Sequence, residues 1–119
     1  MQQIKTEKPW GYEILWAKTD KYVGKIIKIN NGKRLSLQYH NKKSETICVL
    51  DGVLELHIKD NISDKINTFY LKKGDSYDIL VGTIHRFCCP EDSWGVELVE
   101  VSTPELDDVV RVEDDFGRV

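Results

Sequence analysis

Gly32-Lys33-Arg34-Leu35-Ser36-Leu37-Gln38-Tyr39-His40, followed across a short turn by Glu45 and closed at Asp51-Gly52, is the stretch that decides how this chain folds. Side chains alternate across a β-strand, so residues two apart share a face. That sets Arg34, Ser36, Gln38 and His40 on one side and Leu35, Leu37 and Tyr39 on the other. A carboxamide oxygen at Gln38 and an imidazole nitrogen at His40 then converge on one point, and Glu45 enters at the start of the next strand. A distant histidine, His85, follows a second glycine-punctuated run from Gly74 through Gly82. Three ligands around one turn and a fourth from a remote strand suit a metal site in the mouth of a small barrel. The spacing predicts a divalent ion held by Gln38, His40, Glu45 and His85.

Outward from that stretch, short β-rich runs recur between turn signals: 10–16, 22–29, 34–40, 46–50, 53–59, 66–71, 77–81, 84–89 and 96–102. Many short strands at this spacing predict an all-β sandwich or barrel. Asn31-Gly32 and Asp51-Gly52 supply the positive φ angles of tight turns and are expected to form hairpin corners. Leu54, Leu56 and Ile58 should face the core. Val23, Ile27 and Ile29 form another apolar face, but Lys25 lies on it and needs a partner there. After Pro104 the pattern changes to a short helix or turn followed by an acidic tail, 107–119.

The 119 residues fit one domain, 1–119. Seventeen Lys and Arg against twenty Asp and Glu give a net charge of -3, with no basic run to follow a phosphate backbone, so no nucleic-acid partner is expected. The first nine residues lack the apolar core of a signal peptide, and no stretch approaches the roughly 20 apolar residues of a membrane span. A cytoplasmic protein without membrane contact is the expectation. Cys48, Cys88 and Cys89 are too few and wrongly spaced for a disulfide framework or a zinc finger, and read as buried thiols. His57 reads as a surface residue, and Trp10, Trp16 and Trp94 as core or dimer-interface residues. Glu113-Asp114-Asp115 is either a solvated tail or a closure over the pocket.

These motifs resemble the cupin superfamily. Gly32, Gln38, His40, Glu45 and Gly52 fall at the intervals of its first motif, and Gly74, Gly82 and His85 at those of its second. The departures are Gln38 for a histidine, Leu80 for a proline and Cys89 for an asparagine. Lys8-Pro9-Trp10-Gly11-Tyr12-Glu13, the 32–40 stretch, Gly82-Thr83-Ile84-His85-Arg86 and the block from Asp107 to Arg118 are similar to the C-terminal cupin domain of the type II phosphomannose isomerases. The resemblance implies a jelly-roll barrel and a zinc-type site of one Gln, two His and one Glu. It departs at Asn41, Lys42 and Lys43 and at Thr46-Ile47, where the family has a histidine-rich run with an arginine and then His-Trp. The guanylyltransferase part often fused to such domains is absent, so no nucleotidyl transfer is expected.

The activity so implied is metal-dependent interconversion of mannose 6-phosphate and fructose 6-phosphate, with a sugar phosphate as the small-molecule partner. Removing a proton beside a carbonyl creates an enediolate, which a divalent Lewis acid stabilises. Mixed nitrogen and oxygen ligands accept zinc, iron, manganese, cobalt or nickel, and zinc is favoured by resemblance. The phosphate needs a cationic clamp, and guanidinium groups suit it best. Arg34 leads because it shares a strand face with Gln38 and His40. Arg111 and Arg118 follow from the tail block, while Arg86 should point away from the metal. Lys25, Glu97 and Glu100 are the groups considered for proton transfer. Two other outcomes fit the same residues: a non-catalytic sugar-binding cupin, and an iron-dependent oxygenase-type cupin. Exposed sheet edges favour a homodimer.

Overall fold

The structure is a computed structural model describing residues 2–91 and 93–119. The chain forms β1 (Ile4–Lys8), β2 (Gly11–Lys18), β3 (Val23–Ile29), β4 (Leu37–Tyr39), β5 (Glu45–Asp51) and β6 (Leu54–Lys59). Then come β7 (Ile66–Leu71), β8 (Ser76–Ile79), β9 (His85–Cys88), β10 (Val96–Ser102) and β11 (Val110–Glu113). They build two antiparallel sheets, one ordered β1-β2-β3-β10-β5-β8 and the other β11-β4-β9-β6-β7. Alternation decides what lies between them. Ile29, Ile47, Leu54, Leu56 and Leu98 are fully buried, with Ile58 packed against the cluster they form.

The two glycine turns have a different role from the one expected. Gly32 and Gly52 do take positive φ, 70° and 81°. They connect β3 to β4 and β5 to β6, however, and in each case the two strands lie in different sheets. They are corners where the chain crosses the barrel, not hairpins. A Cβ at Gly52 would lie 2.4 Å from the carbonyl oxygen of Gly95, so the crossing also needs the missing side chain.

No helix forms after Pro104 among the described residues. Residues 104–109 make tight turns through bonds such as Leu106 N–H to Pro104 O, and the valine-rich segment that follows joins the sheet as β11 beside β4. Valines at 109, 110 and 112 suit a strand better than a helix. Nor is the acidic tail merely solvated. The Asp114 side chain has no exposed surface and binds Arg118, while Asp115 grips Arg34 and Arg86. Trp10 is core, Trp16 is partly exposed and Trp94 is 99% exposed, so Trp94 is not a core residue. Cys88 and Cys89 are buried free thiols. No helix among the described residues is long and apolar enough to cross a membrane.

Candidate metal centre

β4 and β9 lie side by side, with Gln38 opposite His85, and His40 follows at the end of β4. Glu45 opens β5 in the other sheet, so the cluster bridges the barrel. Glu45 Oε1 lies 3.6 Å from His40 Nε2 and 3.2 Å from His85 Nε2. All three side chains are essentially buried.

The tautomers follow from the outer partners. His40 Nδ1 lies 2.6 Å from the carbonyl oxygen of Asp108, and His85 Nδ1 lies 2.8 Å from that of Thr83. A carbonyl can only accept, so each Nδ1 carries a hydrogen, and in the neutral ring each Nε2 presents a lone pair. Both Nε2 atoms and Glu45 Oε1 are buried without a hydrogen-bond partner, while Glu45 Oε2 faces the Lys43 ammonium. Leaving one such atom bare costs about 1–3 kcal/mol. Acceptors that face one another with no donor between them fit a cation, and backbone carbonyls on the far ring nitrogens are the usual orienting groups of metal-bound histidines. One carboxylate and two neutral imidazoles around a divalent ion would leave about one positive charge. Gln38 lines the adjoining cavity, with its amide oxygen accepting from Ser36 Oγ at 2.6 Å.

That cavity, about 490 Å³, reaches the cluster at His40. Its size suits a small ligand. Lys25 and Glu100 face each other in register on β3 and β10, and both line it. The partner that Lys25 requires is Glu13, 3.2 Å away. Burial, and then the negative charge of Glu45, push the Glu100 carboxyl well above the usual carboxylate range, which favours its protonated form. Burial pushes Glu45 up too, but Glu100, the histidines and Lys43 more than offset this and hold it ionised.

Arg34 is not in the cavity. Only a single bridge, to Cys88, continues β4 back to Arg34, so alternation is lost between Arg34 and Leu37, and the guanidinium instead makes a two-pronged pair with Asp115 at 2.6 and 2.9 Å. Arg111 and Arg118 do line the cavity. Arg118 is engaged by Asp114, whereas Arg111 has no carboxylate in ion-pair range among the described residues and its Nε is buried without a partner. Arg86 points away as expected, with its Nε donating to Leu35 O. Glu97 does not line the cavity; it pairs in register with Lys28 and Asp51. His57 is not a plain surface residue, since its side chain is 18% exposed and lies 2.7 Å from Glu55.

Two participants were missed in the sequence. Lys43 is buried, with Nζ 3.1 Å from Glu45 Oε2 and 3.8 Å from Glu100 Oε2. Burial lowers its pKa, yet the two carboxyl groups more than compensate, so it stays charged. Its place two residues before Glu45 was the available signal. Asp108 orients His40 through its carbonyl and accepts the backbone N–H groups of Asn41, Lys42 and Lys43 on its carboxylate. No local pattern announces that contact.

Residues 1–114 match the family described as mannose-6-phosphate isomerase C-terminal. Among curated proteins, mannose-1-phosphate guanylyltransferase of Escherichia coli is 34% identical over 94% of this chain and 23% of its own length. The alginate biosynthesis protein AlgA of Pseudomonas aeruginosa is 30% identical over 93% of this chain and 22% of its own length. The chain thus spans under a quarter of the length of these relatives. Among solved structures, CapF with an inhibitor superposes with a TM-score of 0.81 at 18% identity, covering 94% of this chain and 35% of that one. Oxalate decarboxylase of Bacillus subtilis, in a study of its Mn(II) centres, gives 0.75 at 13% identity, covering 92% and 30%. Likeness at such identities shows the fold, which is the cupin barrel.

Proposed function

We propose, on the premise that this chain belongs to the mannose-6-phosphate isomerase C-terminal family, that it is a metal-dependent aldose–ketose isomerase acting on mannose 6-phosphate and fructose 6-phosphate. The reading is carried by one observation: the bare acceptors of His40, Glu45 and His85 adjoin a cavity whose wall holds an unpaired guanidinium, Arg111. Together they offer a place for the reacting end of a sugar and another for its phosphate. His40, Glu45 and His85, with Gln38 beside them, would hold the ion, and zinc is our choice among the metals this donor set accepts. Bound there, the ion supplies Lewis-acid stabilisation of negative charge on the sugar oxygens.

The protein's own groups do the rest. Arg111 binds the phosphate, with Lys8 in the same wall, while Lys25 and Lys43 are engaged by Glu13 and Glu45. In the aldose-to-ketose direction a proton leaves C2 and is returned to C1, while the hydroxyl hydrogen moves from O2 to O1, so no oxidant is needed. Glu13, which lines the cavity and is held by Lys25, is the group we assign to take the carbon-bound proton. Glu100, which lines the same space and whose protonated form burial favours, serves as the hydrogen donor to a sugar oxygen. For the assembly we propose a homodimer closing an open sheet edge at β1 or β8. A monomer by light scattering would overturn that part.

The test is a mannose 6-phosphate to fructose 6-phosphate assay with elemental analysis of the same sample, and His40→Ala as control. Stoichiometric metal with turnover that disappears in the variant is expected. Bound metal without turnover would reduce the protein to a sugar-binding cupin, and absence of metal after loading would remove the site itself.

A further inference from the structure

A second set of ligand-type side chains lies outside the cavity. On β9, His85 and Phe87 point into the barrel, whereas Cys88 lies on the opposite face of the strand, in register with Glu55 of β6. His57 is two residues along β6 from Glu55 and shares its face. The three converge. His57 Nε2 is 2.7 Å from Glu55 Oε2, and Cys88 Sγ is 3.8 Å from His57 Nδ1 and 3.9 Å from Nε2. One donor atom from each residue falls within 4.8 Å of the others. None of the three lines the cavity described above.

We propose that Glu55, His57 and Cys88 form a second metal site, independent of the His40 cluster, for a thiophilic divalent ion such as zinc. Zinc bonds of about 2.0–2.3 Å at tetrahedral angles set nitrogen and sulfur ligands roughly 3.5 Å apart and nitrogen and oxygen ligands roughly 3.3 Å apart, so a turn of the imidazole toward Cys88 closes the first separation and opens the 2.7 Å contact with Glu55. The ring has room for that turn, since His57 is 18% and Glu55 25% exposed, while Cys88 is buried beneath them. A fourth position stays open to water. Binding replaces the thiol hydrogen, which leaves as a proton, and one thiolate with one carboxylate balances the charge of the ion. The neighbouring guanidinium groups do not oppose this strongly, because Asp115 pairs with both Arg34 and Arg86 and Glu113 with Arg86.

The same residues in the same order, carboxylate, imidazole, thiol, also describe a nucleophilic triad, but the surroundings argue against one. Burial, and then the charge of Glu55, push the Cys88 thiol up to about 12, so without an ion it stays a thiol at neutral pH. It is also 4% exposed, beyond easy reach of a substrate. An ion that enters from the imidazole side needs no thiolate formed beforehand, because it displaces the thiol hydrogen as it binds.

Cobalt(II) titration of the metal-free full chain separates the two sites, because the His40 cluster contains no sulfur. We expect two equivalents bound and a near-ultraviolet sulfur-to-cobalt charge-transfer band from one of them. His40→Ala should keep the band; Cys88→Ser should abolish it, with Cys89→Ser as the thiol control that keeps it. His57→Gln should weaken the band-forming equivalent at least tenfold, and it serves in place of Cys88→Ser should that variant not fold. No band with millimolar cobalt in the wild type, or a band that survives Cys88→Ser, would overturn the proposal.

Discussion

Lys43 Nζ lies 3.1 Å from Glu45 Oε2, while Glu45 Oε1 faces both histidines, so the central carboxylate is shared between an ammonium and two imidazoles. Glu45 therefore has one oxygen to give to an ion. The ammonium also lies 3.8 Å from Glu100, which makes it the one cation paired with both buried acids among the described residues.

Replacing Lys43 with Met should cost the metal-free protein on the order of 3 kcal/mol, the usual penalty for removing one partner of a buried ion pair. A divalent ion at the cluster supplies positive charge to the same carboxylate, so the metal-loaded variant should lose clearly less. Urea unfolding of both forms measures the difference. Equal losses with and without metal would show that Lys43 packs against the site without compensating its charge.

Arg111 pairs in register with Gln38 across β11 and β4 and lines the cavity with a buried Nε that finds no partner. Arg111→Ala should raise KM for the sugar phosphate at least tenfold with a smaller effect on kcat, because binding a remote phosphate is uniform binding. Thermal stabilisation by inorganic phosphate should vanish in the same variant. A kcat loss with KM unchanged would assign Arg111 to the reacting end instead.

Asp114 carries the acid response of the tail. Hydrogen bonds from the Arg118 side chain hold its carboxyl at about 2, below the ordinary aspartate value of 3.8. A depressed carboxylate contributes stability that is fully present above the unfolded value and lost as pH falls through the folded one. Asp114→Asn should thus be less stable than wild type at neutral pH, by on the order of 1 kcal/mol, because the Arg118 partner is 26% exposed and keeps part of its hydration. The two stabilities should converge as the pH falls from about 4 to about 2. Chemical denaturation across that window checks the sign: a gap that widened toward acid would contradict it.

What the sequence disclosed was what alternation and spacing can carry. His40, Glu45 and His85 do come together, because each sits at or beside the end of a regular strand whose phase a reader can count. Arg34 was placed wrongly by the same count, since the strand breaks before Leu37 and phase does not survive a break. β1 escaped notice because four of its five residues are exposed and it shows no apolar alternation. The glycine turns were recognised as turns, but whether a turn joins neighbours in one sheet or crosses to the other depends on pairings far along the chain. Lys43 and Asp108 belong to the same class of fact, with Asp108 reaching back across 65 to 68 positions to Asn41, Lys42, Lys43 and His40.

That long reach makes Asp108 the link between the C-terminal segment and the His40–Glu45–His85 cluster. Its carboxylate accepts N–H groups from Asn41, Lys42 and Lys43 at 3.1, 2.6 and 2.9 Å, which fixes the turn between His40 and Glu45. Its carbonyl, 2.6 Å from His40 Nδ1, sets the tautomer. Asp108→Ala keeps the carbonyl but releases the turn, so His40 and Glu45 lose their fixed separation. Removal of such a supporting partner typically lowers metal affinity by about 10- to 100-fold. Competition with a chromophoric chelator should show a drop of that order, and Asp108→Asn, which retains one acceptor oxygen, should fall between it and the wild type. If the alanine variant held the ion as tightly as wild type, the turn would be rigid without Asp108, and the tail would be a wall of the cavity only.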